Sequence, residues 1–349
     1  MPIEYLALLA FLAPLAISFL ITAWMIRLAP ALKLVDIPNA RKVHTSPTAK
    51  GGGLAIFAGW IFTAPGVGVD AEDLWVWGGI GLVIVALGLV DDVRPLPWQL
   101  RLGVQTIAAV GALFVFGGVS ANGTLPLANY RLWPAAVLWI VGLTNAFNML
   151  DNMDALSAGV AWIVAFLFAI TSMLVTFYSS FTIHHSAFAA QLALMGALTG
   201  FLWFNWPPAR IFMGDAGSTF LGFFFGTSSL LFAGISDANA WALVLCFLAI
   251  PWYDLVSVVS IRLYQGRSPF HADKQHFSHR LVALGLSPLR AVAIICFLAL
   301  AIGAGGLVLR HWSNSESYWL WVYVAGCWLA LAAFEYLTRK KRQTKIEPS

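Results

Sequence analysis

Charge is what this chain has least of. Asp, Glu, Lys and Arg make up 10% of its 349 residues, against about 25% in a soluble domain. With 60% hydrophobic residues, that scarcity excludes an ordinary water-soluble protein and points to one that crosses a membrane several times. The apolar residues come in long blocks, which excludes the alternating pattern of an outer-membrane barrel. Cysteine is scarce too. Cys246, Cys296 and Cys327 all lie within apolar runs, so neither a disulfide framework nor a zinc-ligand spacing is present. No Lys or Arg precedes the first apolar run, while Arg27 follows it. That order is wrong for a cleaved signal peptide and fits a first helix whose N-terminus lies outside. No soluble domain, long linker or internal repeat stands out.

What is there is a series of about eleven apolar runs of the length a bilayer demands, predicting an all-α, polytopic inner-membrane bundle. They lie near 3–27, 51–69, 73–90, 98–118, 131–147, 157–178, 186–204, 216–234, 238–262, 288–310 and 317–338. Pro65, Gly66 and Gly68 blur the boundary between the second and third. With the first loop in the cytoplasm and sides alternating, all of the 20 Lys and Arg except Arg131 and Arg310 fall inside, as the positive-inside rule requires. Residues 1–338 then form one transmembrane domain with the N-terminus outside. Residues 339–349 form a basic cytoplasmic tail suited to anionic lipid. The 16 Trp fit interfacial belts, with some left to pack inside the bundle.

Polar residues gather in the inner loops. The densest stretch is Asn145-Ala-Phe-Asn-Met-Leu-Asp-Asn-Met-Asp154, between two apolar runs. A helix running through it would put Asn145, Asn148, Asp151 and Asp154 near one face. Polar groups at a membrane boundary are costly unless they bind something, so this face suits a cation and an anionic ligand. Asp91-Asp92 closes the third run, and Phe204-Asn leads to Gly214-Asp-Ala-Gly-Ser218 between the seventh and eighth. Ser268-Pro-Phe-His-Ala-Asp-Lys-Gln-His-Phe-Ser-His-Arg280 joins the ninth and tenth. Asp36-Ile-Pro-Asn-Ala-Arg-Lys-Val-His44 precedes Lys50 and Gly51-Gly-Gly53. All lie on the inner side, so a helical bundle can bring them together.

Each motif also has a plainer reading. Asp91-Asp92 could be a solvated helix end, although negative charge at a helix C-terminus opposes the dipole and favours a bound cation. Asp215 or Ser218 could N-cap the next helix, or the glycines could let the backbone approach a phosphate. Gly51-Gly-Gly53 lacks the ending of a Walker loop and reads as a turn. Asp254, within the ninth run, could pair with Arg262 or another inner cation, or act directly. His184-His185 falls on the outer side, with no role expected. His271, His276 and His279 invite a zinc reading, but the other clustered groups are hard oxygens. Those suit Mg2+ bound through carboxylates and substrate phosphates. His271, Lys274, His276, His279 and Arg280 therefore read as phosphate or diphosphate contacts. The whole set suits a reaction joining an anionic lipid to an anionic soluble substrate, with a metal and cations offsetting the repulsion.

Together these motifs resemble those of the polyprenyl-phosphate N-acetylhexosamine-1-phosphate transferases. That family is the WecA/TagO group of glycosyltransferase family 4, with MraY and the eukaryotic dolichyl-phosphate enzyme as relatives. The likeness rests on residues 35–44, 89–92, 145–154, 204–218 and 268–281, and so runs from the first inner loop to the last. It implies an eleven-span enzyme that transfers N-acetylhexosamine 1-phosphate from a UDP-sugar to undecaprenyl phosphate and releases UMP. N-acetylglucosamine is the favoured sugar, Mg2+ the expected cofactor (Mn2+ in its place is acceptable), and the cytoplasmic face of a bacterial inner membrane the expected location. The reaction would be the first lipid-linked step of envelope polysaccharide synthesis.

The resemblance also implies roles. Asp91 is the base or positioner for the lipid phosphate, and Asp92 supports the metal and phosphates. Asp215 and Asn148 contact the metal, while Asp151 and Asp154 have catalytic, metal or nucleotide roles. His276 and His279 contact the diphosphate; Lys50, Asn145, His271, Lys274 and Arg280 complete the substrate-binding set. The implied partners are a UDP-N-acetylhexosamine, a polyprenyl phosphate and membrane lipids, with no nucleic acid and room for a homodimer. Two positions depart from the family pattern. Ala155 stands where Gly is usual, and because Ala does not easily supply φ > 0, the turn is expected slightly later. Ser278 stands where the histidine motif often has a third His, which argues against the MraY branch and its muramyl-pentapeptide sugar. Direct attack by the lipid phosphate, assisted by Asp91, is the expected route; a covalent aspartyl intermediate is the alternative. The rival classes are a transporter, which would carry ionisable groups near the midplane in repeated halves, and a non-catalytic homologue.

Overall fold

A computed structural model describes residues 3–37, 47–119, 130–178, 184–233, 238–270, 273–312 and 318–346. His271 and residues 38–46 of the first inner motif lie outside the described residues. The chain divides into two compact units, Met1–Ser236 and Asp237–Ser349. The first holds α1 (Ile3–Leu28), a short ladder of β1 (Val35–Asp36) and β2 (Thr48–Ala49), α2 (Gly52–Thr63), α3 (Ala71–Asp73) and α4 (Gly81–Val93). It continues with α5 (Trp98–Val119), α6 (Trp133–Leu150), α7 (Leu156–Tyr178), α8 (His184–Asn205) and α9 (Gly214–Ala233). A π-helical stretch, Leu74–Ile80, joins α3 to α4 in one rod. The second unit holds α10 (Ala238–Phe247), α11 (Ala249–Tyr264), α12 (Phe277–Ala283), α13 (Pro288–Trp312) and α14 (Tyr318–Ile346).

The all-α, multi-pass reading holds. Among the described residues nine helices are long and apolar enough to cross a membrane, and a bent pair makes a tenth candidate. Two of the expected runs differ from simple spans. The second is a shorter apolar helix, Gly52–Val67. It starts from Gly51, whose φ of +98° stops any earlier helical turn, and it ends in a 3-10 turn containing Pro65. The ninth is broken, because α10 and α11 meet at 76°. Pro251 has no N–H to give the Phe247 carbonyl four residues back, so the helical ladder lapses at Leu248.

Helix α9 organises the first unit. It packs against α2, α4 and α6 and is buried along nearly its whole length. Lipid tails are as apolar as Leu, so helices in a bilayer associate through close packing of small residues. A Cβ added at Gly53 would lie 2.1 Å from Gly217 N, at Gly88 2.4 Å from Ala216 Cα, and at Gly222 2.3 Å from Leu143 O. Two tryptophans belong to this core and not to a belt. Trp60 and Trp77 are fully buried, and their Nε1 atoms donate to Ala190 O (3.1 Å) and Thr227 Oγ1 (2.9 Å).

Candidate active site

The β ladder positions Lys50. Val35 pairs with Ala49 and Asp36 with Thr48; Ala49 also bridges in parallel to Ile211. Phe212 N donates to Ala49 O (2.8 Å), while Gly52 N and Gly53 N donate to Phe212 O (3.0 Å) and Met213 O (2.9 Å). These bonds tie Lys50 to the segment that enters α9. Lys50 Nζ lies 3.4 Å from Asp36 Oδ1 and 3.7 Å from Asp92 Oδ1. Burial pulls the Lys50 pKa down, but Asp92, Asp36 and Asp215 together hold it above its ordinary value.

Asp92, near the end of α4, turns its other oxygen to α9. Oδ2 accepts from Ala216 N at 3.3 Å. A carboxylate from a different helix thus caps the positive end of α9. Ser218 is not that cap: its Oγ donates to Gly214 O at 3.1 Å. Asp215 instead uses its carboxylate on other helices. The approach of Asp92 requires Gly214, whose φ is +74° and whose added Cβ would lie 2.4 Å from Asp92 Oδ2.

The rest of the network closes around Asp215. Asp91 accepts from Leu96 N at Oδ1 (2.6 Å) and from Arg101 Nη1 at Oδ2 (2.8 Å). The same Arg101 nitrogen reaches Asp215 Oδ2 at 3.4 Å. Asn148 Nδ2 donates to Asp215 Oδ1 (2.9 Å) and Ser218 Oγ (3.0 Å). Lys50, Asp91, Asp92, Asn148 and Asp215 are therefore brought together. Asp36, Arg101 and Ser218 join them without having been singled out as site residues. The signal for Arg101 was a cation at the head of an apolar run, ten residues after Asp91.

The stretch from Asn145 to Asp154 does not present a single helical face. α6 ends at Leu150, so only Asn145 and Asn148 keep helical spacing. Asn145 Nδ2 is occupied by Gln105 Oε1 (2.7 Å) and Val141 O (2.8 Å), which ties α5 to α6. Asp151 caps the end of α6, and burial, with Asp92 next in weight, pushes its carboxyl up to about 7. Asp154 Oδ2 accepts from Ala209 N at 2.9 Å and so holds the segment leading to α9. The turn falls on Ala155 itself, at φ +59°, and not later as expected. Ala155 N donates to Asn205 Oδ1 and Asn205 Nδ2 to Ile211 O, both at 2.8 Å. Those bonds hold an alanine in a conformation that costs an L-residue about 1–2 kcal/mol.

In the second unit, Arg262 grips Asp273 through Nε–Oδ2 and Nη2–Oδ1, both 3.1 Å. Asp254, fully buried, meets His276 and not Arg262. Its Oδ2 lies 2.9 Å from His276 Nδ1, and its Oδ1 accepts from Phe277 N at 2.6 Å. Arg280 is buried, with Nε on Glu335 Oε1 (2.8 Å), Nη2 on Ser257 Oγ (2.8 Å) and Nη1 on Gln275 O. Its guanidinium joins α11, α12 and α14, a structural role in place of the expected phosphate contact. Lys274 is exposed and His279 half-buried. Burial, then His276 and Lys274, push the His279 imidazole down to about 4. Near neutral pH that ring can offer a phosphate an N–H but no charge.

Known proteins match along most of the chain. The family model described as glycosyl transferase family 4 matches residues 74–233, a stretch that contains Asp91, Asp92, Asn148, Asp151, Asp154 and Asp215. A Bacillus subtilis (strain 168) protein named "Probable undecaprenyl-phosphate N-acetylglucosaminyl 1-phosphate transferase" is 31% identical over 327 residues, 90% of this chain and 87% of the relative. The decaprenyl-phosphate N-acetylglucosaminephosphotransferase of Mycobacterium tuberculosis (strain ATCC 25618 / H37Rv) is 31% identical over 324 residues, 84% of this chain and 80% of the relative. The undecaprenyl-phosphate alpha-N-acetylglucosaminyl 1-phosphate transferase of Escherichia coli (strain K12) is 30% identical over 336 residues, 92% of this chain and 87% of the relative. With that likeness sustained over most of its length, the chain belongs to the polyprenyl-phosphate N-acetylglucosamine-1-phosphate transferases of glycosyl transferase family 4.

Proposed function

We propose that this chain transfers N-acetylglucosamine 1-phosphate from a UDP-sugar to a polyprenyl phosphate, undecaprenyl phosphate being favoured, at the cytoplasmic face of a bacterial inner membrane. One observation carries the reading: Asp91, Asp92 and Asp215 share only Lys50 and Arg101 as ion-pair partners among the described residues, and Lys50 also serves Asp36. That surplus of hard oxygen donors suits a divalent cation. Among the described residues no three carboxylates, imidazoles or thiols form an ion-holding group by themselves. Mg2+ is usually bound through one or two carboxylates plus substrate phosphates and water, so the donor set fits it. Asp215 and Asn148 Oδ1 would hold the ion, which when bound offsets phosphate charge and steadies the leaving oxygen.

The chain's own groups orient the two anions. Both Asp91 oxygens already accept hydrogen bonds, which suits Asp91 to holding Arg101 towards the lipid phosphate. Asp92 keeps Lys50 and the first turn of α9 in register. His276, His279 and Lys274 form the second unit's set of diphosphate contacts. A lipid phosphate oxygen forms the new bond to the sugar-linked phosphorus as that phosphorus loses its bond to the UMP oxygen, and UMP leaves. No covalent enzyme adduct is needed. Purified protein in detergent, given undecaprenyl phosphate, UDP-N-acetylglucosamine and Mg2+, is expected to release UMP, and to stop when the lipid is omitted or the metal is chelated. No release from well-folded protein would sink the reading. Faster turnover of UDP-MurNAc-pentapeptide would overturn the choice of sugar.

A further inference from the structure

We propose that Asp254 is a positioning residue for this transfer: it fixes the tautomer and orientation of His276, so that Nε2 is the nitrogen offered to the donor's diphosphate. The inference rests on the reading of His276 as a diphosphate contact. Asp254 sits on α11, fully buried, and directs both oxygens at one neighbouring corner. A buried carboxylate is costly unless it is paired and hydrogen-bonded. An ionised carboxylate only accepts, so the hydrogen between Oδ2 and Nδ1 belongs to the ring. Nε2 is then the free nitrogen, with no protein partner among the described residues.

The backbone is held by the same group. His276 occupies the N-cap position of α12 with extended backbone, φ −64° and ψ 150°. The bond from Phe277 N to Oδ1 pins that backbone, while the bond from Nδ1 to Oδ2 pins the ring. One side chain therefore sets both the root and the edge of His276. The neighbouring His279 ring, 6.3 Å away between centroids, has no carboxylate partner among the described residues. Opposite a diphosphate oxygen Nε2 must carry a hydrogen, and the ring then carries charge. Asp254 balances that charge from the other side, with His279 and Asp273 as the other titratable groups near the ring. Carboxylate–imidazole pairs orient histidines in this way wherever one ring nitrogen must work and the other must not turn.

A purely structural Asp254 would only cap α12, and Asp254→Asn separates the two roles. The amide keeps an oxygen for Phe277 N but sets a neutral group against Nδ1. Full-length protein labelled with ring-15N histidine, in lipid nanodiscs, reports the His276 nitrogens directly, identified by their loss in His276→Gln. The wild type is expected to show a protonated Nδ1 and an Nε2 signal that moves when UDP-N-acetylglucosamine is added. Asp254→Asn is expected to mix the tautomers and to lower kcat/KM for UDP-N-acetylglucosamine about tenfold to a hundredfold, mainly through KM. It should add no further loss in a His276→Gln background, and Asp254→Glu should recover part of the activity. An unchanged tautomer in Asp254→Asn, or an equal loss in the His276→Gln background, overturns the proposal. Where Asp254→Asn does not fold, a wild-type ring bare at Nδ1 overturns it alone. A wild type with the expected tautomer but no lipid-dependent UMP release overturns the transferase reading instead.

Discussion

The two units hold their charges in opposite ways. In the second, Arg262 meets Asp273, His276 meets Asp254 and Arg280 meets Glu335, one carboxylate to each base. In the first, among the described residues, Asp91, Asp92 and Asp215 share two cations, Lys50 and Arg101, and Lys50 is drawn to Asp36 as well. Similar residue types thus make a scaffold in one place and a candidate site in the other. A matched, hydrogen-bonded pair is self-contained and ties helices together. A surplus of carboxylate needs positive charge from elsewhere. The first turn of α9 supplies some through Ala216 N; a divalent cation suits the rest.

The sharpest way to break this contrast is to unbalance the matched unit. Arg280→Ala leaves Glu335 buried without its cation, and the loss is expected to be about 3–5 kcal/mol, read as a lower melting temperature. An unchanged melt would mean that this pair does not hold the second unit. Asp215→Asn tests the other side. Removing one surplus charge is expected to leave the melting temperature unchanged or raised, while UMP release falls roughly a hundredfold or more. Full activity in a folded Asp215→Asn protein would remove Asp215 from the metal assignment.

A milder test uses pH. Burial, His276 and Lys274 hold folded His279 at about 4, below the ordinary imidazole value of about 6.5. The unfolded chain therefore takes up that proton first. The contribution of a neutral His279 to stability is full above pH 6.5 and is lost as pH falls from there through about 4. The melting temperature should fall across that window, and less steeply in His279→Gln. The smallest expected effect is at Ala155, which is buried at 2% exposure. Ala155→Gly relieves about 1–2 kcal/mol of left-handed strain and gives up about 0.8 kcal/mol for one buried methyl. A slightly higher melting temperature follows; a lower one would mean that the methyl's packing outweighs the strain.

Much of this was legible in the sequence. Long apolar blocks predict the helices, the polar inner loops mark where Asp91, Asp92 and the Asn145–Asp154 stretch lie, and the family resemblance adds roles for Asn148 and Asp215 before any geometry is known. Other features were not local enough to read. Asp254 looked ready for Arg262 on its own helix, but Asp273 takes that guanidinium in a two-bond grip. Arg280 looked free for phosphate until Glu335, 55 residues further on, was found against it. The Asn145–Asp154 face failed because α6 stops at Leu150 and Asp154 turns to Ala209 N, 55 residues away.

The sequence by itself determined that this chain is a multi-pass membrane protein, that it is all-α, and which segments carry its few polar and charged side chains. Those properties follow from hydropathy and side-chain type, which each short segment carries with it. Only the tertiary structure decided, among the described residues, which carboxylates meet which cations and which ring nitrogen of His276 faces Asp254. Charge pairing and hydrogen bonding act over a few ångströms. The groups that meet at those distances come from helices far apart along the chain.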